Sequence, residues 1–237
     1  MSVLIEAKMI SKIYNENSAA EVKALNNVSL NVNEREFIAV LGQSGSGKST
    51  LMNILGCLDI PTYGSYHLRG LPVNEMKPSR LSLIRSHEIG FIFQGFNLIT
   101  ALTAFENVEL PLIYQGVGRR ERRERTVMAL DAVGLFDRMQ HRPQELSGGQ
   151  QQRVAIARAI VTDPPIIMAD EPTGNLDSKS GADIMEKLIE LNEEGNTVLL
   201  ITHDQQLASF AKRIITLQDG KIIDDRINRP ADTLGVF

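Results

Sequence analysis

The chain has 237 residues, 43% of them hydrophobic, enough for one large α/β domain with a smaller helical lobe or for two domains. Its 25 basic and 29 acidic residues leave a net charge of −4, so there is no global electrostatic footprint for nucleic acid, and none is expected as a partner. The single Cys57 excludes an internal disulfide and fits a reducing cytoplasm; no run approaches the ~18 apolar residues of a membrane span, and Met1 to Tyr14 lacks the basic start and apolar block of a signal peptide.

Residues Val3 to Tyr14 and Val22 to Val32 alternate apolar and polar about a polar turn, which predicts an antiparallel N-terminal sheet. Tyr14 lies at its tip, where a ring could stack on a nucleobase or could simply end an edge strand. The apolar, β-prone run Phe37 to Leu41 then leads into Gly42, Gln43, Ser44, Gly45, Ser46, Gly47, Lys48, Ser49 and Thr50. These match a P-loop at every required position. An amphipathic run with Leu51, Ile54, Leu55 and Leu58 on one face follows, so the order is strand, glycine loop, helix. Such a loop turns successive N–H groups inward, and the helix that begins near Gly47 adds its unpaired N–H groups and positive dipole end. In this motif the lysine brings a charge to the β- and γ-phosphates of a nucleotide triphosphate, and the hydroxyl of Ser49 binds Mg2+.

A turn from Asp59 to Gly64, a short strand from Ser65 to Arg69 and a helix from Pro78 to His87 come next. Ile89 to Phe93 reads as a strand closed by Gln94. From Leu102 to about Asp137 the spacing is helical and includes Arg119 to Arg125, five arginines and two glutamates. The i,i+4 partners Glu121 with Arg125 and Arg120 with Glu124 mark a solvated face rather than a nucleic-acid or lipid surface. The phrase Leu146-Ser-Gly-Gly-Gln150 opens another helix. Ser147 is a natural N-cap and Gly148 and Gly149 leave the backbone approachable, so this is a second helix start suited to phosphate. Each glycine weakens the helix by about 1 kcal/mol relative to alanine, a cost that suggests a ligand.

Pro165 to Ala169 is a buried-strand run ending in Asp170 and Glu171. Adjacent residues on a strand point to opposite sides, so Asp170 would hold Mg2+ while Glu171 polarises the attacking water as general base. After Asn175-Leu-Asp177 comes a helix from Ser178 to Glu193. The strand Thr197 to Ile201 then ends in Thr202-His203-Asp204, which places His203 at the same sheet edge, either as a structural residue or within reach of a γ-phosphate. Arg213 to Leu217 and Lys221 to Asp225 form a closing hairpin.

With the P-loop, Gln94, Leu-Ser-Gly-Gly-Gln, Ile-Ile-Met-Ala-Asp-Glu, Asn-Leu-Asp and Thr-His-Asp in this order, the chain resembles the ATP-binding subunit of an ABC transporter over nearly its whole length. The Leu-Ser-Gly-Gly-Gln signature is the specific part. Phe91 to Leu98, Leu102 to Pro111 and Asp170 to Asp177 resemble the subgroup serving macrolide export, lipoprotein release and antimicrobial-peptide resistance. The resemblance implies one α/β domain over 1–237. It would have a P-loop NTPase core of mostly parallel sheet flanked by helices, an N-terminal antiparallel β subdomain (1–93 and 163–237 together), and a helical signature subdomain (94–162).

The resemblance further implies an ATPase with ATP and Mg2+ that works as a head-to-tail homodimer, peripheral on the cytoplasmic face of the membrane, with a permease and an extracytoplasmic adaptor as partners. By position, Tyr14 stacks on adenine and Gln94 senses Mg2+ and water. Ser147, Gly148, Gly149 and Gln150 contact the γ-phosphate held by the second copy, Asp177 communicates across the dimer, and His203 holds the γ-phosphate. The segment after Gln94, to about Ala104, resembles the region that receives the coupling helix of the permease. A soluble ABC ATPase of DNA repair or translation would need a coiled-coil insertion or a duplicated cassette, and a metabolite kinase would need an acceptor site. A force-transmitting ATPase of an envelope complex stays open as a third reading.

Overall fold

The computed structural model describes residues 2–230 and contains two sheets. The first is antiparallel, in the order β2-β1-β4-β5, with β1 at Val3–Tyr14, β2 at Val22–Asn33, β4 at Tyr63–Leu68 and β5 at Leu71–Pro72. The second has the order β10-β9-β3-β8-β7-β6: β3 is Phe37–Leu41, β6 Ile89–Phe93, β7 Ile166–Asp170, β8 Thr197–Thr202, β9 Arg213–Gln218 and β10 Lys221–Ile227. All its pairings are parallel except that of β9 with β10.

The central strands are apolar on both faces because each face buries a different core. Phe37, Ala39, Ile167, Ala169, Val198 and Leu200 face one core. It is completed by α3 (Ala104–Tyr114), α4 (Arg119–Asp131), α5 (Gly148–Ile160) and α6 (Ser178–Glu194). Ile38, Val40, Ile166, Met168, Leu199 and Ile201 alternate with them and face the other core. There they meet the antiparallel sheet, α1 (Lys48–Leu55) and α2 (Pro78–Glu88). A short α7 (Gln205–Ala208) follows β8.

Two expectations change. The helix after the P-loop ends at Leu55, capped by Gly56, and the left-handed Cys57 (φ 55°) turns the chain away, so Leu58 is exposed rather than on the apolar face. The helical stretch 102–137 is two helices, α3 and α4, separated at residues 115–118, where the left-handed Gly116 breaks the path. Among the described residues no helix is long and apolar enough to cross a membrane.

Candidate active site

The parallel register brings the site together. Phe93 of β6 lies level with Asp170 of β7, Asp170 with Ile201 of β8, and Leu41 of β3 with Thr202. The residues leaving these strand ends, Gln94, Glu171, His203 and the glycine loop, therefore emerge along one edge, where open parallel sheets bind their ligands. They line a cleft of about 770 Å3 that includes Gln43, Ser44, Gly45, Gly47, Lys48, Ser49, Thr50, Gln94, Asp170, Glu171 and His203.

At the floor of the cleft, Gly47 precedes α1 in a left-handed conformation (φ 102°) with no side-chain cap, so the first N–H groups of the helix have no capping side chain. The buried Lys48 ammonium donates to the carbonyls of Gly42 at 2.7 Å and Gln43 at 3.0 Å, which fixes a positive charge beneath the loop. Gly42 and Ser46 belong to the loop but lie behind the cleft surface, Ser46 being buried. Together these groups make an anion site on the backbone and one lysine.

Opposite stand the two carboxylates. Burial, reinforced by the neighbouring Glu171 charge, holds the Asp170 carboxyl above the usual range, and Lys48 opposes the shift. Glu171 lies one residue past β7 with positive φ (45°), so the strand alternation expected from the sequence does not govern it, and both carboxylates line the same cleft. Its Oε1 lies 2.8 Å from His203 Nδ1, and its Oε2 accepts from the Thr202 hydroxyl at 3.3 Å. A carboxylate held by a histidine and a hydroxyl at the mouth of an anion site can take a proton from water. Ser49, Asp170 and Gln94 supply hydroxyl, carboxylate and amide oxygen to the same cleft. That set of hard oxygen donors suits Mg2+, which is usually held by one or two carboxylates together with phosphates.

Other residues singled out from sequence lie elsewhere. Tyr14 does not line the cleft: its hydroxyl donates to Asp59 at 3.2 Å, the Lys12 ammonium sits 5.1 Å from its ring centroid, and its strand partner Val22 reaches the cleft instead. The signature turn is also outside. Ser147 and Gln150 form a reciprocal cap at the start of α5, with Gln150 N donating to Ser147 Oγ at 3.3 Å and Ser147 N to Gln150 Oε1 at 2.9 Å. Packing explains one of the two glycines. A Cβ on Gly149 would lie 2.7 Å from Ser180 Oγ, whereas one on Gly148 would meet nothing closer than 3.5 Å, so the helix cost at Gly148 keeps no packing reason. Asp177 caps α6, accepting from Ser180 N at 3.0 Å and Ser180 Oγ at 2.7 Å; the Ser180 N–H bond is the main reason its carboxyl titrates below the usual range.

Two polar residues without a predicted role join these parts. Gln152 is fully buried in α5 and donates to the Pro172 carbonyl at 2.7 Å, tying the signature helix to the turn after Glu171. Its signal in the sequence is a glutamine on the buried stripe Gly149, Gln152, Ile156, Ala159. The mostly buried Arg158, its pKa lowered by desolvation, donates to the carbonyls of Asn97 at 2.6 Å and Phe96 at 2.8 Å and so holds the segment after Gln94. That segment borders a second cleft, about 630 Å3, lined by Leu83, Phe91, Phe93, Pro111 and Tyr114 among others.

A doubly wound P-loop fold with a capped Ser-Gly-Gly helix start beside it defines a nucleotide-triphosphate-binding cassette. Residues 25–174 match the ABC transporter family, and the chain belongs to this family of ATPases. It is 52% identical over 228 residues to the macrolide export ATP-binding/permease protein MacB of Hyphomonas neptunium, covering 96% of this chain and 35% of that protein. The pyoverdine export ATP-binding/permease protein PvdT of Pseudomonas aeruginosa is likewise 52% identical, with 96% and 35% covered. The chain thus spans about a third of the length of these export proteins. By contrast, it covers 86% of an uncharacterised ABC transporter ATP-binding protein, YknY of Bacillus subtilis, at 51% identity over 199 residues, 84% of this chain. A dimeric ATP-binding cassette solved in a post-hydrolysis state with ADP and Pi superposes with a TM-score of 0.88 at 47% identity, covering 95% of this chain and 99% of that one.

Proposed function

We propose that this chain hydrolyses ATP to power a separate membrane permease of the macrolide-export and lipoprotein-release type, working as a head-to-tail homodimer peripheral on the inner face of the membrane. One observation carries the reading. A single chain presents two helix starts suited to phosphate, and only the P-loop start lines the cleft that holds Glu171 and His203. The start at Ser147, Gly148, Gly149 and Gln150 then serves the ATP of a second copy.

In each site Gly45, Gly47, Lys48 and Thr50 cradle the phosphates, and adenine would reach the ring of Tyr14 only past its strand partner Val22, which lines the cleft where Tyr14 does not. Ser49, Asp170 and Gln94 would hold Mg2+, which neutralises charge on the β- and γ-phosphates. Glu171 takes the proton of the attacking water while the water oxygen bonds to the γ-phosphorus and ADP leaves with the bridging oxygen. His203 steadies the transferred group and the Glu171 carboxylate together. Asp177, at the cap of α6, carries the state of one site to the other. ATP touches both copies only when the dimer is closed, so binding favours closure and loss of phosphate removes that bias. The helical part, 94–162, presents the signature, and the cleft beside Phe91, Phe93 and Tyr114 receives a helix of the permease. An adaptor on the far side of the membrane belongs to the same reading.

The test is to purify the Glu171→Gln chain from native membranes in mild detergent with ATP. It should bind ATP, dimerise, lose roughly 10²- to 10⁴-fold of its turnover and bring a permease with it. Full turnover would sink the general-base assignment, and co-purifying ribosomes or DNA would contradict the transporter.

A further inference from the structure

Asn175 has no part in the chemistry above, yet both ends of its side-chain amide are spent on one residue of that site. Gln94 Nε2 donates to Asn175 Oδ1 at 3.3 Å, and Asn175 Nδ2 donates to the Gln94 carbonyl at 3.1 Å. Asn175 therefore grips both the head group and the backbone of Gln94.

The local chain is shaped for this contact. Gln94 and Glu171 leave β6 and β7 side by side, because Phe93 is level with Asp170. From Glu171 the backbone closes on itself through Gly174 N to Glu171 O at 3.0 Å and Leu176 N to Thr173 O at 3.0 Å. Those backbone bonds form the turn, so the Asn175 side chain is free to do something else. A Cβ on Gly174 would lie 2.7 Å from Gln94 Nε2 and 3.2 Å from its Cδ, so glycine there is what lets the carboxamide lie against the turn. Both partners are exposed, which makes the pair a breakable hold rather than a piece of core.

We propose that Asn175 is a positioning residue for Gln94: it sets where the carboxamide points and so how readily Gln94 turns to Mg2+ and the attacking water. The proposal rests on the role given to Gln94 above.

The experiment uses the full chain carrying Glu171→Gln, with Mg2+·ATP as the calorimetric probe and the side-chain 15N resonances of Gln94 as a second readout. Asn175→Ala should shift the Gln94 resonances and change the Mg2+·ATP dissociation constant by about 2- to 10-fold, the size expected for loss of one or two exposed amide hydrogen bonds. In a Gln94→Ala background the same change should do almost nothing. Asn175→Asp, which keeps an oxygen for the Gln94 amide, should recover part of the effect. An equal effect of Asn175→Ala in both backgrounds, or unmoved Gln94 resonances with a lowered melting temperature, would overturn the proposal. Absence of any ATP binding would instead refute the nucleotide reading, and the Gln94 resonances would still decide the role of Asn175.

Discussion

Gly149→Ala separates packing from ligand binding at the signature turn. A Cβ at this position would lie 2.7 Å from Ser180 Oγ and 3.0 Å from Ser180 Cβ. Rotating the hydroxyl away relieves only the first contact and breaks its 2.7 Å bond to Asp177, the cap of α6. Overpacking of this kind costs about 1–3 kcal/mol. Alanine returns up to about 1 kcal/mol of helix propensity. The net expectation is a loss of about 1 kcal/mol, or roughly 2–4 °C in melting temperature for a chain of this size. In a Ser180→Gly background the obstruction is gone, so the same Gly149→Ala change should become neutral or stabilising. Thermal and urea denaturation of the four proteins measure this change of sign. An identical effect of Gly149→Ala in both backgrounds would refute the packing account.

Two further outcomes follow from the geometry. Burial holds the Asp170 carboxyl above its usual range, so its ionised form costs stability at neutral pH. Asp170→Asn should melt higher than the parent at pH 7 while losing Mg2+-dependent turnover, and the stability gap should close as pH falls below the carboxylate range and the native residue is protonated. A gap that widened in acid would contradict this sign. In the basic helix, neutralising Arg119, Arg120 and Arg123 should shift stability by no more than about 0.5 kcal/mol and leave ATP turnover unchanged. Arg122 differs, since it donates to Glu109 at 3.1 Å and to the Val117 carbonyl at 2.9 Å and so pins α4 to α3. Arg122→Ala should cost about 1.5–3 kcal/mol, measured by denaturation.

The parts of the site that are contiguous in sequence were legible there. The P-loop, the Ser147 cap and the carboxylates after β7 each combine a local motif with an apolar run of strand or helix spacing, and the parallel register then sets Gln94, Asp170 and His203 on one edge. The arginine run also reads correctly where its partners are four residues away: Arg120 reaches Glu124 at 3.0 Å and Arg125 reaches Glu121 at 2.5 Å. It misleads at Arg122, whose partner Glu109 lies in another helix. Asn175, Gln152 and Gly149 escaped for the same reason, because what defines them is a neighbour brought close by folding: Gln94, Pro172 and Ser180 respectively. Helix ends were blurred where apolar spacing continues past a left-handed residue, as from Leu55 through Cys57 to Leu58.

In the proposed head-to-tail dimer, one ATP is served by the P-loop and Glu171 of one copy and by the Ser147 turn of the other. Mixing two inactive chains, Glu171→Gln and Ser147→Arg, before ATP is added checks this sharing of residues between copies. In a head-to-tail pair, the Ser147→Arg copy keeps its P-loop and Glu171 and receives an intact signature from the Glu171→Gln copy, so one of the two sites is whole. Random pairing of equal amounts should restore up to about a quarter of wild-type turnover. A mixture no more active than its two components, with mixed dimers demonstrated, would contradict the shared site.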